Sequence, residues 1–548
     1  MATVEVVALG GVGEIGKNCT VVEQGDDWIL IDAGLSFPNE EMPGIDIIIP
    51  DFAYLVENAE KLKAVFLTHA HEDHVGALPY LVSELNVPIY ATEFTHLLIK
   101  DKMEEKTGRK DLDLRVMKFG EKVEVGGLTV EPIRITHSIP ETAAIAIQTV
   151  HGNLLFTADF KFDFTPVDGK LSDLARLCEL GKEGVLSLFS DSTNVERPGW
   201  GPSEKDVMPG LRKVFSEAQG RVLLTTFASN IHRMQQFLNV AAEFGRKVAV
   251  VGRRMESNLD ICSRFGYLKA PRGIMITLDD AKDLPAHEVA ILTTGSQGEP
   301  FSALVQMSKG EYGRMQIKQG DTLIYSARPI PGNEGAIWRT INRLFRQGCT
   351  VVYEGPTPVH VSGHAYQQEL QMMINLTKPF YLTPVHGEPR HQHKYLELGR
   401  EMGYPEHRMF TLEVGQKLVF DETKAFFGDR VPCGRVLIDS TGQPGVPDEV
   451  LRHRNALAKD GLVTIAVSVD VEVGEIIGEP ILQSTGLFIS EEKLKHIREI
   501  VADSLNSLNR NECKDTGKVR HLLQEVAKKA LLRQAGARPV ILVTVFEV

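Results

Sequence analysis

The stretch Phe66-Leu67-Thr68-His69-Ala70-His71-Glu72-Asp73-His74-Val75-Gly76 packs His69, His71, Asp73 and His74, all metal-competent side chains, into six positions. His69 and His71 alternate, so on an extended segment both imidazoles point to one side. Asp73 and His74 follow in the turn. The spacing offers two imidazoles to one cation and a carboxylate with an imidazole to a neighbouring one, which is the donor set of a dinuclear hydrolytic centre. A lone histidine is usually a satisfied core or surface residue. Four ligands written His-x-His-x-Asp-His leave little room for that account. The apolar run Ala64 to Leu67 reads as a buried strand that would hold this loop at its end.

The pattern resembles the signature loop of the metallo-β-lactamase superfamily, and a two-metal site needs further ligands, including a carboxylate able to bridge. His137 closes the alternating run Ile133-Arg134-Ile135-Thr136, and Asp159 follows the apolar strand Leu154-Leu155-Phe156. Taken alone, each is an ordinary strand-end polar residue. Their order after the first motif makes them ligand candidates. Asp32, after Trp28-Ile29-Leu30-Ile31, matches a superfamily position whose carboxylate supports the site from behind the ligands. Gly11-Val12-Gly13-Glu14-Ile15-Gly16 matches a dinucleotide-binding fingerprint, but no helix pattern follows it. Two further strands do, so a glycine-rich turn between strands is expected.

The elements that must position these residues are spread over a long chain. At 548 residues, with 43% hydrophobic and 24% charged content, it reads as a soluble globular protein of several domains. Net charge is −13, which excludes a generally basic nucleic-acid coat and confines any such site to a local groove. The start carries no signal-peptide pattern, and no apolar run is long enough to span a bilayer. Six scattered cysteines argue for reduced thiols and a cytoplasmic setting.

An opening βαβ-rich region runs to about residue 200. Strands at Arg221 to Thr226, Lys247 to Val251, Val289 to Thr293, Thr322 to Ser326 and Cys349 to Tyr353 then alternate with helices such as Ile231 to Phe244 and Glu334 to Gln347, a parallel α/β block. His386, in Pro384-Val385-His386-Gly387-Glu388, appears only afterwards. The expected fold is therefore an α/β metallo-β-lactamase αββα sandwich (1–200 and 365–430) interrupted by an inserted parallel α/β domain (201–364). A turn-rich linker (431–455) and a small C-terminal α+β domain (456–548) follow. In the last, strand Leu462 to Val471, helices Glu491 to Leu508 and Lys518 to Ala535, and strand Pro539 to Phe546 are expected.

Ser190-Asp191-Ser192-Thr193-Asn194, the segment Gly355 to Ala365 with Val359-His360-Val361-Ser362-Gly363-His364, and Pro384 to Glu388 resemble the β-CASP motifs of nucleic-acid-processing metallo-β-lactamases. Within that group the chain resembles the bacterial ribonuclease J family over nearly its whole length. Phe227-Ala228-Ser229-Asn230-Ile231-His232-Arg233, Thr294-Gly295-Ser296-Gln297-Gly298-Glu299-Pro300 and Pro329-Ile330-Pro331-Gly332-Asn333-Glu334 carry the likeness. Two departures stand out. Ala158 replaces the usual glycine before the bridging aspartate, which is tolerable if its φ is negative. Ala327-Arg328 replaces a serine-rich pair, with Arg328 expected to add a phosphate contact.

The resemblance implies one metal on His69, His71 and His137 and a second on Asp73, His74 and His386, bridged by Asp159. Zinc is the first expectation, with manganese or magnesium as alternatives, and a further structural cation is implied near Asp46 and Asp439. Asp191 and His364 take acid–base roles, without a division between them. Ser229, Asn230, Ile231, His232 and Arg233, with His360, Val361, Ser362, Gly363 and His364, are expected to grip phosphate. For Ser229-Asn230 an ordinary helix cap is the competing account. The implied activity is endonucleolytic and 5′-to-3′ exonucleolytic cleavage of single-stranded RNA in its processing, maturation and decay. A 5′-monophosphate end is preferred, and 5′-phosphate and 3′-hydroxyl ends remain. A homodimer or homotetramer built through the C-terminal domain and other RNA-decay proteins are the implied partners. A DNA-directed β-CASP nuclease is the alternative, and a glyoxalase II-type hydrolase or a mainly binding module is a third class that the insert and His364 disfavour.

Overall fold

The computed structural model describes residues 3–39, 41–330 and 332–548, so Pro331 of the proline-rich motif lies outside the described residues. The chain divides into two units. One comprises Met1–Phe37 with Ile47–Val436, the other Pro38–Asp46 with Leu437–Val548.

In the first unit two sheets face each other. An eight-stranded sheet runs in the order Ala425–Arg430, Gln416–Phe420, Val4–Gly10, Cys19–Gln24, Asp27–Ile31, Leu62–Leu67, Ile89–Ala91, Leu114–Val116. A six-stranded sheet runs Tyr381–Val385, Val185–Asp191, Gly152–Phe156, Ala143–Thr149, Leu128–Arg134, Val123–Val125. The period-two pattern of strands decides the layers. Ile145 and Ile147, Leu154 and Phe156, and Phe189 point into the core shared with Val6, Ile29 and Phe66 of the facing sheet. Their neighbours Ala144, Ala146, Leu155 and Leu188 point outward, beneath the helices Leu174–Glu183, Gln367–Thr377 and Pro389–Glu401. The opening region is thus less βαβ-like than its sequence suggests. Val4–Gly10, Cys19–Gln24 and Asp27–Ile31 form an antiparallel meander, and parallel pairing starts only at Leu62–Leu67. The glycine-rich segment is the turn between the first two of these strands.

The insert carries a five-stranded, all-parallel sheet ordered Lys247–Val251, Val289–Thr293, Val222–Thr225, Thr322–Tyr325, Thr350–Val352. Both faces are buried, which is why its strands read as continuous apolar runs. Helices Val207–Glu217 and Ile231–Glu243 cover one face, and Ala303–Lys309 and Glu334–Arg346 the other. The strand Val222–Thr225 leads to Lys247–Val251 on one side, whereas its neighbour Thr322–Tyr325 leads to Thr350–Val352 on the other. The sheet therefore has a topological switch point between these two strands.

In the second unit, Glu475–Thr485, Leu462–Asp470 and Val540–Glu547 form a three-stranded sheet covered on one face by helices Glu491–Asn506 and Thr516–Ala535. The strand Glu475–Thr485 was not expected, because Gly478 and Pro480 interrupt its alternation. The stretch expected as a plain linker holds the strand Arg435–Asp439 and the helix Asp448–Asp460. Asp439, expected beside a structural cation with Asp46, accepts from Thr441 and pairs with Arg454 at 3.0 Å. Asp46 belongs to none of the ligand clusters among the described residues.

Candidate metal centre

The site forms where strands of both sheets end. Leu62–Leu67 delivers Thr68 to His71 and then one helical turn, Glu72–Val75, that carries Asp73 and His74. Leu128–Arg134 leads to His137, Gly152–Phe156 to Asp159, Val185–Asp191 ends on Asp191, and Tyr381–Val385 leads to His386. The close approach needed to fold the signature loop back onto the sandwich requires a glycine at 34, where a Cβ would lie 1.6 Å from the Asp73 carbonyl. The glycine-rich turn has a part that the sequence did not disclose, since the Gly11 carbonyl accepts from the His386 amide at 2.7 Å.

Two groups of donors result. His69, His71, His137 and Asp159 have ligand atoms within 4.8 Å of one another, and so do Asp73, His74, Asp159 and His386. Asp159 belongs to both. In the first group His71 Nδ1 lies 3.0 Å from His69 Nε2 and 3.2 Å from His137 Nε2. In the second, His386 Nδ1 is 2.6 Å and His74 Nε2 3.3 Å from Asp159 Oδ1. The residues fit divalent cations on their own account. Asp159 Oδ1 and both ring nitrogens of His386 are buried and crowd one another and Asp73, at 2.6 and 3.3 Å, without forming a hydrogen bond of good geometry, a condition costing about 1–3 kcal/mol per group unless something meets them. Burial, with neighbouring imidazoles, holds His69 and His137 well below the ordinary histidine pKa, which keeps both in the neutral, ligating form. At His386 burial pushes the same way, but Asp159 and Asp73 outweigh it and raise the pKa to about 10. That excess of negative charge is what a cation would neutralise.

Behind the donors, Asp32 accepts from Thr68 N at 2.8 Å and Thr68 Oγ1 at 2.9 Å and lies 2.7 Å from His74 Nδ1. Thr68 Oγ1 in turn lies 3.0 Å from His69 Nδ1. Asp32 is thereby the second-layer carboxylate that its sequence position suggested, and Thr68 is a partner that the sequence reading missed. Asp32, Ala158 and His386 all have positive φ, at 62°, 54° and 49°. The condition for tolerating Ala158, a negative φ, is not met. The chain must turn left-handed there to aim Asp159 into the cage, which explains why glycine is the residue expected before it.

His364 Nδ1 lies 2.8 Å from Asp191 Oδ2, and Asp191 Oδ1 is held by Thr193 N and Oγ1 at 2.9 and 2.7 Å. The His364 ring stands 5.2 Å from that of His137 and 5.6 Å from that of His386. Burial lowers its pKa, but Asp191 and Asp159 prevail and raise it above the ordinary histidine value, which favours the protonated ring. Ser362 Oγ accepts from Asn194 Nδ2 at 2.8 Å, and the same amide reaches the His364 carbonyl at 3.1 Å. Gly363 serves the metal side: its carbonyl lies 2.8 Å from His137 Nδ1, and a Cβ would lie 2.7 Å from that ring. His360 is half-buried and Val361 sits in the apolar core of the insert.

At the helix Ile231–Glu243 the structure departs from the phosphate grip expected of it. Asn230 is the N-cap, accepting from Arg233 N at 3.0 Å. Ile231 is fully buried in the core, and the buried His232 ring is 3.7 Å from Asp168. The Arg233 guanidinium is 0% exposed, paired with Glu204 at 2.8 and 3.0 Å and bonded to Ser326 Oγ and the Val359 carbonyl. It braces the insert. Ser229 alone of this group remains half-exposed.

A sandwich whose strand ends hold two donor groups sharing one aspartate, crossed by a parallel α/β insert, defines a metallo-β-lactamase-type hydrolase of the β-CASP kind. The metallo-beta-lactamase superfamily model matches residues 12–195, and the Zn-dependent metallo-hydrolase RNA specificity domain matches 357–409. The beta-CASP and C-terminal domains of ribonuclease J match 219–344 and 449–548. The chain is 37% identical to ribonuclease J2 of Bacillus subtilis over 100% of its own length and 99% of that protein. It is 41% identical to ribonuclease J of Thermus thermophilus over 99% and 95%. It belongs to the ribonuclease J family. A crystal structure of a protein of unknown function from Enterococcus faecalis shares the fold, with a TM-score of 0.55 at 18% identity over 76% of this chain and 100% of that one.

Proposed function

We propose that this chain is a metal-dependent ribonuclease that cleaves single-stranded RNA internally and trims it from the 5′ end, leaving 5′-phosphate and 3′-hydroxyl termini. The observation that carries the reading is the pair of donor groups sharing Asp159, with the His364–Asp191 dyad alongside. Two divalent cations held there, zinc first, supply the acidity that makes water a nucleophile at neutral pH and the charge that screens phosphate oxygens. His69, His71 and His137 would hold one, Asp73, His74 and His386 the other, and Asp159 both. Asp191 fixes the tautomer and orientation of His364, whose Nε2 then gives a proton to the departing 3′ oxygen. Ribonuclease J matches in both the insert and the C-terminal part do not favour the DNA-directed alternative. Matched single-stranded RNA and DNA oligonucleotides test the reading directly. Equal rates on both would overturn it.

The 5′ end is read in this proposal by the loop His360 to His364, with the hydroxyls of Ser362 and Ser229, in a space that admits a monophosphate and rejects a bulkier, more negative triphosphate. Faster trimming of 5′-monophosphorylated than of 5′-triphosphorylated RNA is expected. The sheet of the second unit leaves Ile477, Ile481, Leu542 and Phe546 exposed, which supports assembly into a homodimer or homotetramer through that domain. Other RNA-decay proteins remain proposed partners. Free cysteines suit a reducing, cytoplasmic setting, and no helix among the described residues is long and apolar enough to cross a membrane.

A further inference from the structure

The carboxyl ends of Val222–Thr225 and Thr322–Tyr325 lie at the topological switch point of the inserted sheet, the place where open α/β sheets take ligands. The Ser229 loop follows the first strand. Ser326 to Ile330 follows the second and carries Arg328 where the serine-rich pair was expected. Gln297 clamps this segment, donating through Nε2 to the Arg328 carbonyl at 2.8 Å and accepting from Ile330 N at 2.8 Å.

From the sandwich side two residues meet Arg328. The Tyr366 hydroxyl, two positions after His364, accepts from the guanidinium, and the Arg197 charge acts on it. Arg197 also lies over the Tyr366 ring, its Cζ 5.8 Å from the centroid. The backbone ties Arg197 to the catalytic loop, since Arg197 N bonds to the Asn194 carbonyl and Gln367 N to the Arg197 carbonyl. Asn194 in turn holds Ser362 and the His364 carbonyl. Two guanidinium groups thus converge on one tyrosine without an ion-pair partner for either among the described residues. Burial and then Arg197 hold the Arg328 pKa below its ordinary value, the opposite of what a carboxylate would do. Other arginines of the insert show the contrast. Arg233 is paired with Glu204 and Arg221 with Asp321.

We propose that Arg197 and Arg328 form a seat for an internucleotide phosphate of the RNA strand, with the Tyr366 ring beside it for the adjoining base. Planar guanidinium groups suit a phosphate diester better than ammonium does, because each presents a fork of donors. The seat rests on the ribonuclease reading above, and it adds a grip that lies off the reacting atoms.

The test uses the metal-loaded full chain and its Arg328→Ser and Arg328→Lys variants. A single-stranded oligoribonucleotide probes the seat, and bis(p-nitrophenyl) phosphate, a diester with no strand, probes the metal centre alone. Arg328→Ser should raise KM for the oligoribonucleotide about ten-fold with kcat retained, since a charge-assisted contact is lost. It should also flatten the dependence of log(kcat/KM) on log salt by about 0.7, the share of one single-strand phosphate contact. Arg328→Lys should recover the salt slope more than KM, and the strand-free diester should be hydrolysed at the parental rate by all three proteins. Replacing one internal phosphate by a neutral methylphosphonate should cost the parent at a single linkage and cost Arg328→Ser nothing there. An unchanged salt slope in Arg328→Ser, or a response confined to the 5′-terminal phosphate, overturns the seat. An equal loss on the strand-free diester would show that Arg328 is merely structural. A parent that hydrolyses the diester but no RNA defeats the ribonuclease reading itself, and the seat with it.

Discussion

Around Asp159 the sandwich gathers strand-end donors from both sheets without well-formed hydrogen bonds, whereas at the start of the helix Ile231–Glu243 Asn230 and Arg233 are met inside the fold. There only His232 Nε2 and Gln236 Oε1 are buried without a hydrogen-bond partner. Both regions carry motifs of the same family, and the motif alone does not tell them apart. In the cage, Asp159 Oδ1 and the His386 nitrogens are buried against one another and Asp73 without a well-formed hydrogen bond, and the backbone turns left-handed at Asp32, Ala158 and His386 to aim side chains inward. At the helix, Asn230 caps Arg233 and the Arg233 guanidinium is neutralised by Glu204. Unmet valence held by a strained backbone marks a place where something binds. The met valence of Asn230 and Arg233 holds the fold together.

The sharpest way to break the contrast is to remove the shared ligand. Asp159→Ala is expected to abolish RNA hydrolysis and to lower bound metal, measured by elemental analysis, from about two dications per chain. A variant of parental rate would mean that the two donor groups are not one centre. Next in size comes His364→Ala, which should slow turnover about a hundred- to ten-thousand-fold, as general acid–base help usually does. Metal content and RNA affinity should stay near the parental values. Loss of metal from this variant would make His364 a ligand.

Arg233→Ala probes the other side of the comparison. It strands the Glu204 carboxylate in the core, and breaking a buried pair in this way costs about 3–5 kcal/mol of stability. The loss should appear in chemical denaturation, with the 5′-monophosphate preference of the folded fraction preserved. Undiminished stability together with a lost preference would restore Arg233 as a phosphate ligand and erase the distinction.

Much of this was legible in the chain. The His-x-His-x-Asp-His run, His137, Asp159 and His386 were visible because each follows an apolar strand and the superfamily order is strict. The insert's strands were visible because burial on both faces makes them continuous apolar runs. What escaped the sequence depends on tertiary contact. Nothing in Gly363 discloses that its carbonyl orients His137, nor in Gly11 that it receives the His386 amide. Arg233 reads as a cation until Glu204, 29 positions earlier, is seen beside it. The antiparallel opening was missed because a short alternating strand does not announce the direction of its neighbour.

Asp32 tests the layer behind the ligands. Asp32→Asn keeps an oxygen for Thr68 but removes the charge facing His74 Nδ1. Second-layer changes of this kind cost about 10–100-fold in metal affinity, to be read by chelator competition on the folded protein. Unchanged affinity would reduce Asp32 to a structural partner of Thr68.

The smallest expected effect is at Ala158, and its sign is the informative part. With φ at 54°, the alanine methyl crowds its own backbone, a cost of about 1–2 kcal/mol that glycine avoids. Glycine gives back part of that gain, about 0.4–1 kcal/mol, through the greater freedom of its unfolded chain. Ala158→Gly should therefore stabilise the protein by roughly 0.5–1 kcal/mol in chemical denaturation. The aim of Asp159 should survive, because Thr157 Oγ1 donates to the Ala158 carbonyl at 2.7 Å and Asp191 N bonds to Thr157 Oγ1 at 3.0 Å, holding the turn from outside. Metal content and turnover are then expected to match the parent. If the glycine variant instead lost metal, the methyl group would be part of what keeps the turn wound, and the strain at this strand end would belong to the construction of the cage rather than be tolerated beside it.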